Sequence, residues 1–467
     1  MTTRHFAPVL AVAVMFALCG CSTPSPVSER VPNKLALASS FVNAAAGNTE
    51  PVAEFWRGFA DADLDALMAE ALKANVDLRI ASANLQEARA LARFADAQLK
   101  PSIGTSANVS RIRAPDTQGK IQTFSQFAAG FDAAWEADLF GRISSDRRAA
   151  AADVLAGEAG VRAAQVSVAA ELARNYFELR GLQEQIRIAM AALETQQAAL
   201  KLVQARLSEG RGTALDTERA QSLVQTTMAA IPALESALAR SRYRIAVLTG
   251  RQPTALDLQL SPAKPLPGLT AVALGNIGSP ESLLRRRPDI AAAEAQVVAA
   301  AARVGVARSS LFPRITLGGS VGLNAGRISE LGNASSFVYN FGANLVWSLL
   351  DFGRVRAQIA ASEARSEGVL ARYEKVILTA LEETEGALSN YSRTQQKVDS
   401  LFTAEKSAAK AAEIARVRFT YGATDFFAVL DAERELLAAR DRLAQSQTAA
   451  ATSLVAVYKA FSGGFTP

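Results

Sequence analysis

The side chains able to do acid–base or nucleophilic chemistry are few and lie together. Of 467 residues one is histidine, His5, and two are cysteines, Cys19 and Cys21. Once the first 20 residues are removed, no imidazole and a single thiol remain. That excludes His-based catalysis, Ser-His-Asp and Cys-His nucleophiles, zinc sites and intrachain disulfides. Three motifs imitate active sites. Gly318-Gly319-Ser320-Val321-Gly322 fits the G-x-S-x-G elbow of hydrolases, yet it sits in a strand-like alternation without a histidine partner. Asp351-Phe352-Gly353 spells a kinase magnesium motif, but no glycine-rich nucleotide loop and no catalytic-loop histidine accompany it. Arg285-Arg286-Arg287 could touch nucleic acid; beside Pro288-Asp289, at a helix start, a capping role is expected instead. The chain is expected to be no enzyme and to hold no cofactor or metal.

The thiols belong to a leader. Arg4 supplies a positive n-region, and Ala7 to Leu18 form an apolar stretch too short to span a bilayer. Residues 1–20 therefore read as a signal peptide. Its end, Leu18-Cys19-Gly20-Cys21, resembles a bacterial lipobox, with Cys21 as the acylated residue. By the same resemblance Ser22, in place of an aspartate, favours the outer membrane. Fifty Lys+Arg stand against 45 Asp+Glu, and loss of Arg4 leaves 49 against 45, too small an excess for a nucleic-acid surface. With 49% apolar and 20% charged residues the chain can bury a large core. Beyond the leader no run reaches 18 apolar residues, so no transmembrane helix is expected.

The elements that follow come in two copies. Asp77-Leu78 matches Asp289-Ile290, Leu99-Lys100-Pro101 matches Leu311-Phe312-Pro313, and Phe140-Gly141-Arg142 matches Phe352-Gly353-Arg354. Arg206-Leu207 with Gly210 matches Arg418-Phe419 with Gly422, and each pair is 212 residues apart. The expected organisation is a segment at 21–60, a first repeat at 61–250, a connector at 251–279, a second repeat at 280–462 and a tail at 463–467. Pro253, Pro262, Pro265 and Pro267 mark the connector as extended.

Within each copy the hydrophobic period predicts helix, two strands, a very long helix, a turn and a return helix. After Pro101, Ile103, Thr105, Ala107 and Val109 alternate with Ser102, Gly104, Ser106 and Asn108, and Phe127, Phe131 and Trp135 continue the pattern. After Pro313, Ile315, Leu317, Val321 and Leu323 do the same, followed by Phe337, Tyr339, Phe341, Leu345 and Trp347. One apolar and one small, polar face on strands of this length suit a membrane barrel wall. Four strands leave two open edges, so closure needs several chains. From Ile143 to Ser208 there is no proline, which predicts one helix of roughly 65 residues, about 100 Å long. Leu172, Leu179, Ile186, Leu193, Leu200 and Leu207 recur every seven residues, with Tyr176 and Met190 between them, a coiled-coil seam. Pro232 is expected to kink the return helix.

Lipobox, duplication, β-hairpins and heptad helices together resemble the outer-membrane factor family, the TolC-like channels. The likeness is greatest to the outer-membrane lipoproteins of RND efflux systems, the NodT-type branch. It covers residues 50–465, on Phe55-Trp56, Leu284-Arg285-Arg286-Arg287-Pro288-Asp289-Ile290, Phe312-Pro313 and Leu430-Asp431-Ala432-Glu433-Arg434. The resemblance implies a mixed α and β membrane protein in the outer membrane of a Gram-negative bacterium. In it a homotrimeric 12-stranded barrel, four strands per chain, continues as a long α-helical coiled-coil periplasmic tunnel. It implies a passive export duct for small molecules, with a periplasmic adaptor protein and an inner-membrane RND transporter as partners. A duct for type I secretion or an ABC exporter is the rival within the family, and a structural coiled-coil envelope lipoprotein the rival outside it. It further implies adaptor-docking tips at Arg206, Gly210, Thr213, Arg418, Gly422, Thr424 and Asp425, and a pore constriction at Phe427, Asp431 and Arg434. Read without the family, Gly210 and Gly422 are helix C-caps and the following Thr and Asp residues N-caps, and Asp431–Arg434 is an exposed i, i+3 pair.

If the barrel holds the protein in lipid and Cys21 only adds an anchor, Cys21→Ser behind a substitute cleavable signal still yields outer-membrane trimers. Membrane fractionation checks this: recovery only as a soluble periplasmic protein rejects it.

Overall fold

The structure, a computed structural model, describes residues 40–42, 54–115, 117–267 and 279–461. The leader, Cys21 and the expected tail at 463–467 lie outside the described residues, as does most of the 21–60 segment.

Two helices open the first copy, α1 (Ala62–Ala74) and α2 (Val76–Ala97), followed by β1 (Ser102–Pro115) and β2 (Ile121–Ala137). The 67-residue α3 (Arg142–Ser208) and the 35-residue α4 (Ala214–Leu248) complete it. The second copy runs α5 (Pro280–Arg286), α6 (Pro288–Ser309), β3 (Arg314–Ala325), β4 (Phe337–Val346), α7 (Arg354–Thr420) and α8 (Phe426–Ala460). Helices α6, α7 and α8 begin and end 212 residues after α2, α3 and α4. Pro232 does not end α4, which carries buried residues on both sides of it, from Ala220 to Thr227 and from Ser241 to Leu248. A proline removes one backbone donor, and packing on both flanks carries the helix past that loss.

The chain divides into two compact units, one of residues 85–157 and 293–373, the other of residues 36–84, 158–292 and 374–467. The first holds the sheet, antiparallel throughout in the order β1-β2-β3-β4, with β1 and β4 as open edges. The register puts Ile103, Val109, Phe127, Phe131, Trp135, Leu317, Val321, Tyr339, Phe341 and Leu345 on one face. The other face carries Ser106, Asn108, Asp132, Glu136, Thr316, Ser320 and Asn340 among glycines. Ile103 is 75% and Phe341 76% exposed in the single chain, so the apolar face has no partner among the described residues.

Strands hand over to helices by one device, executed twice with different residues. Asp138 accepts from the Ile143 and Ser144 amides at 3.0 and 2.8 Å, and Asp351 from the Gly353 and Val355 amides at 3.0 and 2.7 Å. Gly141 (φ 71°) and Gly353 (φ 89°) take the left-handed turn that starts each helix. Burial works to raise the Asp138 carboxyl, but the bonds from Ser144 and Ile143 and the Arg142 charge hold it below its ordinary value. Its contribution is therefore present above the ordinary carboxylate pKa and lost as pH falls through the lowered one. Trp135 and Trp347, again 212 apart, donate their indole N–H to the Leu99 and Leu311 carbonyls at 2.8 and 3.0 Å.

The second unit is an apolar core gathered by α3. Leu172, Tyr176 and Phe177 are fully buried with Leu64, Met68, Leu248, Leu256 and Leu260. The heptad seam is thus dry at Leu172 and Leu179, but Met190 is 50% and Leu207 37% exposed, while Ile188 and Ala189 are buried instead. The stripe is buried again at Leu200, 9% exposed, so burial along the seam is interrupted rather than lost. Arg180, 1% exposed, donates to Asp63, the Tyr176 hydroxyl, Gln183 and the Pro262 carbonyl at 2.8–3.0 Å. It thereby ties the connector to α1 and α3. Among the described residues one helix, α6, is long and apolar enough to cross a membrane, but half of its apolar window is buried in protein.

Each copy is also closed on itself at the kink before its second helix. Asn75 caps α2 and donates to the Leu248 carbonyl at 2.8 Å. At the equivalent position Arg287, 7% exposed, donates to the Ala460 carbonyl at 3.2 Å and ion-pairs with Asp289 and Glu383 at 2.7 and 2.8 Å. The expected capping role of the Arg-Arg-Arg-Pro-Asp stretch thus falls to Arg287. Because Asp289 and Glu383 are partly exposed, Arg287→Met should cost about 2 kcal/mol, the worth of charge-assisted bonds. The check is the denaturant midpoint of the detergent-solubilised protein. Arg287→Lys should recover little of it, since one ammonium cannot span three acceptors.

Candidate functional site

Both long helices end alike. At the end of α3 the Gly210 amide donates to the Leu207 carbonyl and the Arg211 amide to that of Arg206, at 3.0 and 2.8 Å. At the end of α7 the Gly422 and Ala423 amides donate to Phe419 and Arg418 at the same distances. These are Schellman turns, and Gly210 (φ 70°) and Gly422 (φ 69°) occupy their left-handed position. Thr213 caps α4, accepting from the Asp216 amide at 3.2 Å and donating its hydroxyl to the Asp216 carboxylate at 2.6 Å. Asp425 caps α8 through the Ala428 amide at 3.1 Å. Thr424 makes no cap; the residue 212 after Thr213 is Asp425.

The two turns share one core. Leu200, Val203, Ala220 and Val224 from the first hairpin pack with Phe419, Phe426, Val429 and Leu430 from the second. Phe419 and Phe426 lie 5.3 Å apart, and the Arg206 guanidinium sits 4.2 Å from the Phe419 ring. Arg206, a tip residue of the first hairpin, is thus stacked on the second. Arg418 instead turns back to the Ala423 carbonyl at 3.4 Å. Tyr421 (84% exposed) and Leu215 (57%) stand out from the same turns.

Above the turns, α8 carries the expected constriction residues. Phe427 is 51% exposed, with the Arg219 guanidinium 5.0 Å from its ring. The neighbouring charges are used up: Glu433 pairs with Arg416, Arg440 with Glu405 at 3.0 Å, and Glu435 with Arg442 at 3.6 Å. The Glu433 bond raises the Arg416 pKa. Asp431 and Arg434 are different. Among the described residues neither side chain forms an ion pair or hydrogen bond, so the local i, i+3 pair is absent. Both open into a groove of about 590 Å³ between α3, α4 and α8, with Thr227, Leu234 and Asp441 on its walls.

Sequence reasoning placed the turns and the caps but missed the Arg206–Phe419 and Arg219–Phe427 stacks. The available signal was that one turn is flanked by Phe419 and Phe426 while its counterpart has Leu207 and Ala214. What an arginine of the first copy does to that aromatic pair was not legible. Phe419→Ala should cost about 3–4 kcal/mol locally and speed amide exchange in residues 199–224 as well as 415–430. Faster exchange in the second stretch alone would contradict a shared core.

A family model described as outer membrane efflux protein matches this chain twice, from 67 to 251 and from 279 to 463, spans whose starts and ends are both 212 apart. The chain is 32% identical over 467 residues to the pyoverdine export outer membrane protein OpmQ of Pseudomonas aeruginosa, covering 98% of this chain and 96% of that one. It is 29% identical over 465 residues to the cation efflux system protein CusC of Escherichia coli, covering 98% and 99%. The solved structure of the outer-membrane channel OprN superposes with a TM-score of 0.88 at 36% identity, over 94% of this chain and 98% of that one.

Proposed function

The chain belongs to the outer membrane efflux protein family, and from that premise we propose that it is the outer-membrane channel subunit of a tripartite RND-type efflux pump. It conducts small molecules passively, with no reaction of its own, from a periplasmic adaptor and an inner-membrane transporter to the exterior. The observation that carries this reading is the sheet: apolar on one face, small and polar on the other, and open at both edges. In lipid every edge N–H and C=O needs a partner. Three chains of four strands satisfy them by closing a 12-stranded barrel, polar face inward.

The helical turns are the docking tips in this reading. Arg206, Gly210, Thr213, Arg418, Gly422, Thr424 and Asp425 gather at hairpins stiffened by Schellman turns and caps, with Tyr421 and Leu215 exposed for an adaptor's helices. Asp431 and Arg434, unpaired among the described residues, find their partners in neighbouring copies or face the pore. Three copies around an axis make a charged ring that narrows the resting channel, with Phe427 as its apolar plug. Adaptor docking at the tips loosens it.

The direct test is conductance in planar bilayers, with heat-modifiable trimers on a gel as the assembly control. Asp431→Ala combined with Arg434→Ala and Phe427→Ala should raise single-channel conductance with trimer yield unchanged. Intact trimers with unaltered conductance would place the constriction elsewhere, and a wild-type trimer that never conducts would sink the channel itself.

A further inference from the structure

The two hairpins of the sheet differ in reach. Pairing of β2 with β3 stops at Phe127–Ala325, but β1 and β2 continue together from Ser110–Gln126 to Pro115–Ile121, six further pairs. This overhang lies at the end of the sheet away from the strand-to-helix junctions. Over its middle rungs the character of the faces reverses, before the apolar pair Pro115–Ile121 ends the hairpin on the arginine face. Ile112 and Phe124, directly paired, fall on the face that is polar lower down. Arg111 and Arg113 fall on the face that is apolar lower down, directly above Val109 and Phe127.

Opposite Arg111 stands Ser125 and opposite Arg113 stands Thr123. Two guanidiniums two residues apart, about 6.6 Å along the strand, therefore share a surface with two hydroxyls. Both arginines are exposed, and among the described residues neither has an ion-pair or hydrogen-bond partner. No acidic residue shares that face of the overhang; Asp116, the one acid between 108 and 126, lies outside the described residues. Five-donor guanidiniums beside hydroxyls match the oxygens of a phosphate. Position selects its source. A face that meets acyl chains up to Val109 and Phe127 meets the headgroup layer at the next rung.

We propose that Arg111 and Arg113, with Thr123 and Ser125, bind the phosphate groups of an anionic glycolipid headgroup in the outer leaflet. The proposal rests on the barrel reading above. It gives the reversal of the faces a cause: cations point outward where the membrane surface is anionic, and the Ile112–Phe124 pair turns toward the mouth. The contact sets the height of the barrel in the membrane and belongs to the first copy alone, since the hairpin of β3 and β4 has no such extension.

The test is binding of fluorescent bisphosphorylated lipid A to the detergent-purified trimer, read by anisotropy, for wild type and the Arg111→Gln/Arg113→Gln double variant. A surface arginine near anionic lipid contributes about fivefold, so the pair should weaken binding roughly 25-fold. Conductance and the heat-modifiable trimer band, which report the channel reading, should stay unchanged. Phe124→Ser, on the opposite face, should bind lipid as wild type does, dephosphorylated lipid A should bind the wild type no better than the double variant, and inorganic phosphate should compete only weakly. Equal binding by the double variant, equal loss in Phe124→Ser, or displacement by free phosphate as effective as by the lipid would each overturn the assignment.

Discussion

A β-strand brings two rows of backbone donors and acceptors, and in hydrocarbon neither can be left unpaired. β1 and β4 each present one such row with no strand partner among the described residues. Every other feature of the sheet is consistent with this demand being met by other copies. Its apolar face has nothing to pack against among the described residues, and its opposite face is rich in glycine. Gly130 and Gly322 are paired across β2 and β3, and a Cβ at either would come within 2.9 Å of neighbouring backbone atoms. Only glycines let the strands approach that closely on what becomes the inside of a curve.

The long helices begin where the strands end. Each long helix starts at a left-handed glycine beside an aspartate cap, within a few residues of the strand it follows. The duplication preserves the geometry rather than the residues. Asp138-Leu139-Phe140-Gly141 becomes Leu350-Asp351-Phe352-Gly353, the carboxylate moving by one position while still capping the first turn. Asn75 becomes Arg287, and both reach the last carbonyl of their own return helix. Arg287 adds two ion pairs, which explains why only the second copy carries the Arg-Pro-Asp signature there.

Charge is distributed by the same logic. Along α8, Glu433, Glu435 and Arg440 are matched inside the chain, and Arg206 and Arg219 lie over aromatic rings. Among the described residues an aspartate and an arginine three residues apart, Asp431 and Arg434, are left unmatched in that company. Local helix geometry would have allowed the pair at little gain.

The sequence by itself determined the period of every long element, because burial on one face imposes alternation on strands and a heptad on helices. It also determined the duplication, the caps and the turn glycines, since these depend on residues within four positions of each other. The family followed from motifs of the same local kind. The tertiary structure decided what depends on distance in the chain. It decided that Met190 leaves the seam while Ile188 enters it, that Pro232 sits in an unbroken helix, and that Arg206 serves the turn of the other copy. It alone decided that Asp431 and Arg434 stand apart and that Arg111 and Arg113 share the face of Val109. Spacing fixes which side of its own element a residue occupies; only packing and strand register say what that side meets.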